Sequence, residues 1–445
     1  MKKIIIIITI LVVLVGAGLA YWYFIYKPNT NIIPANEINT QENGFNPLNR
    51  TPVSNTGNVN QTPTNTSETP NVTPVPVTKI PTLRMLSNTP VGGYGASTTP
   101  NIASTTKTLP VKGTTVVRWV DRGRGNIYEA RGNTNEIVTI SNTVLPRVNE
   151  SVWNKNLTAF IGSMFTESTN LPTVIYAQLK TTASTTKTAS STTESNTTTR
   201  APFELKGKNL PDKVLAYAVS PKGEGIFILI NESGIGNGYI ASFDGSSMTR
   251  IFTTPLLQLN VEWPEENTIT ITTKGSAYQS GFMYFVNPKT GVWKKILGPV
   301  SGLSTRTSRD AKYVMYSSGN TSKQEVNTYI YDVSKSKASD AMVNTLADKC
   351  VWGNFYKEII YCAVPSQTVT ATYPDDWYKG DMSSADKIWQ INAITEEIHL
   401  VSTIVDQSDR IIDVFNLDID ARDNFLFFMN KRDLSLWSFD LVSSN

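Results

Sequence analysis

The densest group of chemically capable side chains is Tyr373-Pro374-Asp375-Asp376-Trp377-Tyr378-Lys379-Gly380. Carboxylates accept hydrogen bonds and neutralise cations, while Trp and Tyr offer large contact area at little entropic cost. Asp375, Asp376, Trp377 and Tyr378 are therefore the expected ligand-binding residues, for a peptide, a glycan or a cation. The competing reading is that Trp377 and Tyr378 fold back and plug the loop that carries them. A second acidic group, Asp413, Asp418, Asp420 and Asp423, includes the spacing Asp418-x-Asp420-x-x-Asp423. Hard cations want clustered carboxylates, but the glycine and distal Glu of an EF-hand are missing. A turn with Asp423-Asn424 at its tip is expected instead, and no metal site.

His399 is the sole histidine. A Ser-His-Asp hydrolase or a multi-histidine metal centre would rest on it alone. Its place in Ile398-His399-Leu400 fits the surface of an outer strand. Arg122-Gly123-Arg124-Gly125 reads as a solvated turn. Gly-rich phosphate loops, paired metal motifs and nucleophile elbows do not occur, so no catalytic residue and no cofactor is assigned. Chemistry carried by carboxylates alone, as in glycoside hydrolysis, needs none of these motifs. The two cysteines, Cys350 and Cys362, sit about equally far from a turn around Tyr356. Opposed in an antiparallel hairpin they lie near disulfide range after modest closure, and a disulfide is expected in preference to two buried thiols.

These residues are positioned by a repeat. From Pro81 onward one unit recurs about every 45 residues, with four short strands per unit, the signature of a β-propeller. The best-matched third strands are Gly238–Asp244, Phe282–Asn287, Thr328–Asp332, Lys387–Asn392 and Leu434–Asp440. Counting units gives an all-β fold of seven four-stranded blades; six or eight blades, or a tandem of β-sandwiches, are the alternatives. The last unit lacks a fourth strand, whereas Thr82–Ser87 has no blade of its own. The turn after it, Asn88-Thr89-Pro90-Val91-Gly92-Gly93, matches Leu297-Gly298-Pro299-Val300-Ser301-Gly302 between blades 4 and 5. Thr82–Ser87 is thus expected to complete blade 7 and close the ring. A weak outer strand of blade 5 is expected near Ala341–Leu346. Ser97–Thr108 and Thr181–Thr199 read as Thr/Ser-rich insertions, and Val364–Asp386 as a long loop between the second and third strands of blade 6.

Ile4 to Tyr26 is uncharged and long enough to cross a bilayer core of ~30 Å as a helix. Lys2 and Lys3 precede it, which favours a cytoplasmic N-terminus, and Tyr21, Trp22, Tyr23, Phe24 and Tyr26 crowd its far end, where amphipathic rings sit at the headgroup level. Gly18-Leu19-Ala20 offers a cleavage site, but the aromatic cluster carries the apolar run beyond a signal peptide, so an anchor over 1–26 is expected. Residues 27–79, rich in Asn, Thr and Pro, cannot bury enough apolar surface to fold. They form a tether with a root-mean-square reach of ~40 Å. The globular part, 80–445, then lies outside the cytoplasm. The charge is low and balanced, 40 Lys and Arg against 37 Asp and Glu, so no nucleic-acid partner is expected.

Ser220-Pro221-Lys222-Gly223-Glu224-Gly225-Ile226-Phe227-Ile228 resembles the S-P-D-G-x-x-I-A-F repeat of WD-like periplasmic propellers of the Tol type, with Lys222 in place of the Asp. Ser308-Arg309-Asp310-Ala311-Lys312-Tyr313-Val314-Met315-Tyr316 is a looser copy. Tyr331-Asp332 and Asn287-Pro288-Lys289-Thr290-Gly291 resemble the strand end and turn that follow in each repeat. The resemblance extends from Pro81 to the C-terminus and speaks for fold more than function. The layout also resembles envelope-anchored propeller proteins of bacteria. The expected function is a membrane-tethered binding or scaffolding module at the bacterial cell envelope, with a protein or glycan partner. The alternative is an envelope glycan-active enzyme with carboxylates at the propeller mouth.

Overall fold

The computed structural model describes residues 81–99, 114–132, 134–145, 147–165, 172–181, 203–320, 324–368 and 370–443. The apolar segment 4–26, the tether 27–79 and most of both Thr/Ser-rich insertions lie outside the described residues. Among the described residues no helix is long and apolar enough to cross a membrane.

Alternating apolar residues in short runs, punctuated by Gly, Asn and Asp turns, fold into seven antiparallel four-stranded sheets. The first described strand is β1 (Leu83–Ser87). Blade 1 follows with β2 (Val91–Thr99), β3 (Thr114–Asp121), β4 (Ile127–Arg131) and β5 (Ile137–Ser141). Blade 2 is β6 (Val148–Trp153), β7 (Ala159–Phe165), β8 (Pro172–Thr181) and β9 (Phe203–Asn209). Blade 3 is β10 (Val214–Val219), β11 (Gly225–Glu232), β12 (Ile235–Ser242) and β13 (Thr249–Thr254). Blade 4 is β14 (Leu259–Glu265), β15 (Thr268–Thr273), β16 (Ser280–Val286) and β17 (Trp293–Ser301). Blade 5 is β18 (Ser304–Thr307), β19 (Tyr313–Asn320), β20 (Glu325–Asp332) and β21 (Lys337–Asp340). Blade 6 is β22 (Cys350–Trp352), β23 (Ile359–Pro365), β24 (Asp386–Asn392) and β25 (Ile398–Thr403). Blade 7 has β26 (Val414–Ile419), β27 (Phe425–Asn430) and β28 (Leu436–Asp440), and its outer strand is β1, paired Leu83 to Phe439 and Arg84 to Ser438.

The blades join through seven apolar seams, and the seams return to their start. Blade 7 meets blade 1 through Phe425, Phe427 and Met429 against Tyr94, Val117 and Trp119. Blade 1 meets blade 2 at Ile127 and Phe160, and blade 2 meets blade 3 at Ile161 and Ile228. Phe227 and Ile271 join blades 3 and 4; Met283 and Val314 join blades 4 and 5. Met315 and Trp352 join blades 5 and 6, and Ile388 and Phe428 join blades 6 and 7. Each fully buried aliphatic or Phe side chain contributes roughly 1.5–3 kcal/mol relative to exposure. Polar stitches repeat the pattern: Asp420 of blade 7 accepts from Thr98 Oγ1 and Thr115 Oγ1 of blade 1, both at 2.9 Å.

Two local expectations need correction. The outer strand of blade 5 is Lys337–Asp340, not Ala341–Leu346. Ala341, Val343 and Leu346 are instead buried in the connection to blade 6, because Ala341 and Val343 pack in the cluster of Cys350 and Trp352 and Leu346 packs with Tyr373 and Trp377. The Ser97–Thr108 insertion begins later than expected, since β2 continues to Thr99 with Ser97 opposite Val116. Cys350 and Cys362 face each other in the β22–β23 register, 4.1 Å apart at Cα, and form a disulfide.

Because β1 is the only partner of the free edge of β28, a chain shortened to begin at Pro90 should lose several kcal/mol of stability, on the order of the apolar burial of Leu83 and Leu86. Urea unfolding against a chain beginning at Ile80 checks this. Equal midpoints would show that β1 does not close the ring.

Candidate functional site

The segment 366–385 between β23 and β24 does not project from blade 6 as a free loop. It lies as a strap over the neighbouring blades. The Ala371 N–H donates to the carbonyl of Gln324, just before β20 of blade 5, at 3.3 Å. Tyr373 and Trp377 pack with Val326, Leu346 and Ala371, and Phe415 of blade 7 leans on the same cluster. Gly302 and Gly319 lie directly beneath the Tyr373 carbonyl, where a Cβ would collide with its oxygen. The strap then reaches blade 4. Asp375 accepts from the Ala277 N–H at 2.7 Å and from Ser276 Oγ at 3.0 Å.

Asp375–Lys379 forms one helical turn, ended by Gly380 in the left-handed region at φ 84°, the conformation glycine adopts without a steric cost. Asp376 stays local and accepts from the Thr372 N–H at 2.7 Å. Tyr378 donates its hydroxyl to Asp348 at 2.5 Å. Desolvation of its hydroxyl and the facing Asp348 carboxylate push the Tyr378 phenol well above its ordinary value, while the side chain as a whole stays 40% exposed. Trp377 is 5% exposed, so the expectation of an exposed aromatic anchor is corrected. Its indole N–H must find a partner when buried, and it finds Asp413 of blade 7 at 3.1 Å. Lys349 and Lys431 lie over its ring at 5.5 and 5.2 Å. The plug reading therefore holds for Trp377, and Asp375 and Asp376 act as positioning groups within the strap.

Beneath the strap, charged groups of the inner strands are engaged with one another. Arg306 on β18 pairs with Glu262 on β14 at 2.7 Å, and Arg309 lies 3.5 Å from Asp418 on β26. Burial raises the Asp348 carboxyl, and Arg306 opposes that rise. The acidic run of blade 7 is dispersed among structural tasks. Asp423 accepts from the N–H groups of Asn354, Phe355 and Tyr356, and Asp420 from those of Asn424 and Phe425. Among the described residues no group of three His, Cys, Asp or Glu side chains could hold a metal ion. His399 is exposed on β25, opposite Gln390. Arg124 donates its backbone N–H to Asp121 within a turn, and Arg122 reaches Asn149 at 2.6 Å.

The open concavity that this arrangement creates lies between blades 4 and 5. It holds about 500 Å³ and is lined by Ala277, Pro299, Val300, Ser301, Tyr316, Ser318, Gly319, Asn327 and Tyr329. Tyr316 and Tyr329 are cross-strand partners with stacked rings, 5.2 Å between centroids. One wall carries Ala277, the residue that Asp375 holds, and next to it Tyr278 stands 73% exposed. The lining is uncharged: aromatic faces with hydroxyl and amide groups at their edges. Sequence reasoning missed this groove. The groove's two tyrosines, Tyr316 and Tyr329, come from different strands, and the opposite wall comes from blade 4, so no local stretch of sequence carries its signal.

No known protein-family profile matches the chain, and no curated protein matches it. Solved structures do. An oligogalacturonate lyase from Vibrio parahaemolyticus is 10% identical, with 80% of this chain and 98% of that one covered at a TM-score of 0.45. TolB from Acinetobacter baumannii is 10% identical, covering 71% of this chain and 59% of that one at a TM-score of 0.37. The tricorn protease is 8% identical, covering 83% and 35% at 0.48. The structural neighbours thus include TolB-type propellers, the family that the Ser220–Ile228 repeat resembles.

Trp377→Ala should lower unfolding stability by about 3–5 kcal/mol, the cost of an emptied aromatic site. Trp377→Phe, which keeps most of the packing but removes the indole hydrogen bond to Asp413, should cost about 1–3 kcal/mol. Urea titration reads both. Wild-type stability in Trp377→Ala would return the residue to a surface role.

Proposed function

We propose that this chain is a membrane-tethered binding module of the bacterial cell envelope, with its propeller outside the cytoplasm. The observation that carries the binding role is the groove between blades 4 and 5, whose stacked tyrosines sit on a rigid scaffold and whose wall is fixed by Asp375. Ligand sites combine apolar and aromatic walls with a few placed polar groups, and recognition concentrates on loops held by a scaffold. The uncharged lining suits a polar neutral surface, a glycan chain or an uncharged peptide stretch, better than an ion. The tether and anchor are supported by the composition of 1–79: an aromatic-flanked apolar run followed by a stretch too polar to fold. The inward carboxylates Glu262, Asp348 and Asp418 each face a cation or a hydroxyl donor, an arrangement that favours the binding reading over the glycosidase one.

A membrane-impermeant crosslinker applied to spheroplasts tests both parts together. The wild-type protein should be labelled from outside and should yield a discrete crosslinked partner. Tyr329→Ala should be labelled equally and lose that partner at least tenfold. A head shielded from the reagent would overturn the topology, and unchanged capture by Tyr329→Ala would overturn the groove.

A further inference from the structure

Lys349 is the most deeply buried lysine among the described residues, 2% exposed, in the turn that leads into β22. Its Nζ lies 2.8 Å from Asp386 Oδ2, at the start of β24, and 2.7 Å from Asp413 Oδ1, just before β26. Asp386 and Asp413 are both fully buried. The Ser384 hydroxyl is a further partner of Nζ at 2.8 Å, and the Trp377 ring closes the site toward the strap. We propose that Lys349 and Asp386 condense to an intramolecular isopeptide bond, with Asp413 as the proton-transfer group.

The arrangement contains each component of that reaction. An amine and a carboxyl are held in contact on rigid elements, which replaces a bimolecular encounter by one with a very high effective concentration. A second carboxylate touches the amine. The site is closed to solvent, with the Ser384 hydroxyl and the Val414 N–H also donating to Asp386 at 2.8 and 2.7 Å, and an ionic triad there still carries a desolvation penalty of several kcal/mol per ion. Amide formation removes the charge of both reacting groups. Burial holds the Asp386 carboxyl above the usual carboxylate range, which favours its protonated form. Burial also pushes Asp413 up, but the Lys349 charge and the hydrogen bonds from Lys349 and Trp377 outweigh it and leave Asp413 below that range. It is thus a charged base when the reaction starts.

The step balances without an oxidant or co-reactant. The Lys349 ammonium passes one proton to Asp413, and the free amine attacks Cγ of protonated Asp386. The C–N bond forms. As the adduct collapses its C–OH bond breaks, and the hydroxyl leaves as water with a second proton from nitrogen. The products are a neutral amide, one water and a protonated Asp413. The bond would tie the entry of β22 to the start of β24. With the adjacent Cys350–Cys362 disulfide it would lock both the inner hairpin of blade 6 and the C-terminal root of the strap.

Tryptic mapping of the full-length protein, after reduction and alkylation, decides the matter. The expected result is no cleavage after Lys349, so that peptide 338–357 stays whole and is joined to peptide 380–387, lighter by one water than their sum. Asp413→Ala and Asp413→Asn keep both reacting groups and should yield the two peptides unjoined. The wild-type map is decisive even where a variant fails to fold. Cleavage after Lys349 together with a free, unmodified 380–387 peptide in the wild-type protein would show an ion pair only and overturn the proposal. A joined peptide that persists in both Asp413 variants would overturn the role given to Asp413.

Discussion

Ring closure is the constraint on which everything else in this structure depends. Seven sheets in a row would leave two long edges, each a template for unwanted pairing. The pairing of β1 with β28 removes both by placing the first described strand and the last in one sheet. Once the ring is closed, every blade has apolar neighbours on both faces. That is why Phe227, Ile228 and Phe428 are fully buried in a protein whose blades are only four strands wide. Closure also brings residues distant in sequence together around the centre, such as Thr98 and Asp420.

Against that ring the strap solves a second problem, how to hold a long polar segment over the mouth without leaving its backbone unpaired. Charge does much of this. Asp375 reaches blade 4, Tyr378 reaches Asp348, and Trp377 reaches Asp413. Asp413 in turn lies 2.7 Å from Lys349 Nζ. Buried polar groups that lose their partners are destabilising, so these contacts hold the strap in one place. A fixed strap gives the groove between blades 4 and 5 a fixed wall, the property a recognition site needs.

The fold was legible because a propeller repeats itself. Third strands such as Gly238–Asp244 and Leu434–Asp440 carry alternation that survives weak sequence similarity, and the orphan Thr82–Ser87 pointed to closure through its matching turn. The Cys350–Cys362 pairing was legible from its symmetry about one hairpin. The site was less so. Trp377 beside two Asp residues has the same composition whether it faces solvent or a buried carboxylate, and only the position of Asp413, 36 residues on, decides between them. Lys349 illustrates the same limit: nothing in Ala347-Asp348-Lys349-Cys350 distinguishes a buried lysine from a surface one. The outer strand of blade 5 was misplaced because Ala341, Val343 and Leu346 are apolar for a connection's packing and not for a strand's.

The central claim is that the blade 6 segment is a fixed strap joined to blades 4, 5 and 7. Native-state hydrogen exchange across 371–382 tests it most directly, because the N–H groups of Thr372, Asp376, Tyr378 and Asp381 are all paired within the strap and that of Ala277 is paired to Asp375. These five amides should exchange as slowly as those of the neighbouring strands β20 and β24, and Ala277 should speed up when Asp375 is replaced by Ala. Exchange of all five at the rate of an unstructured chain would contradict the account.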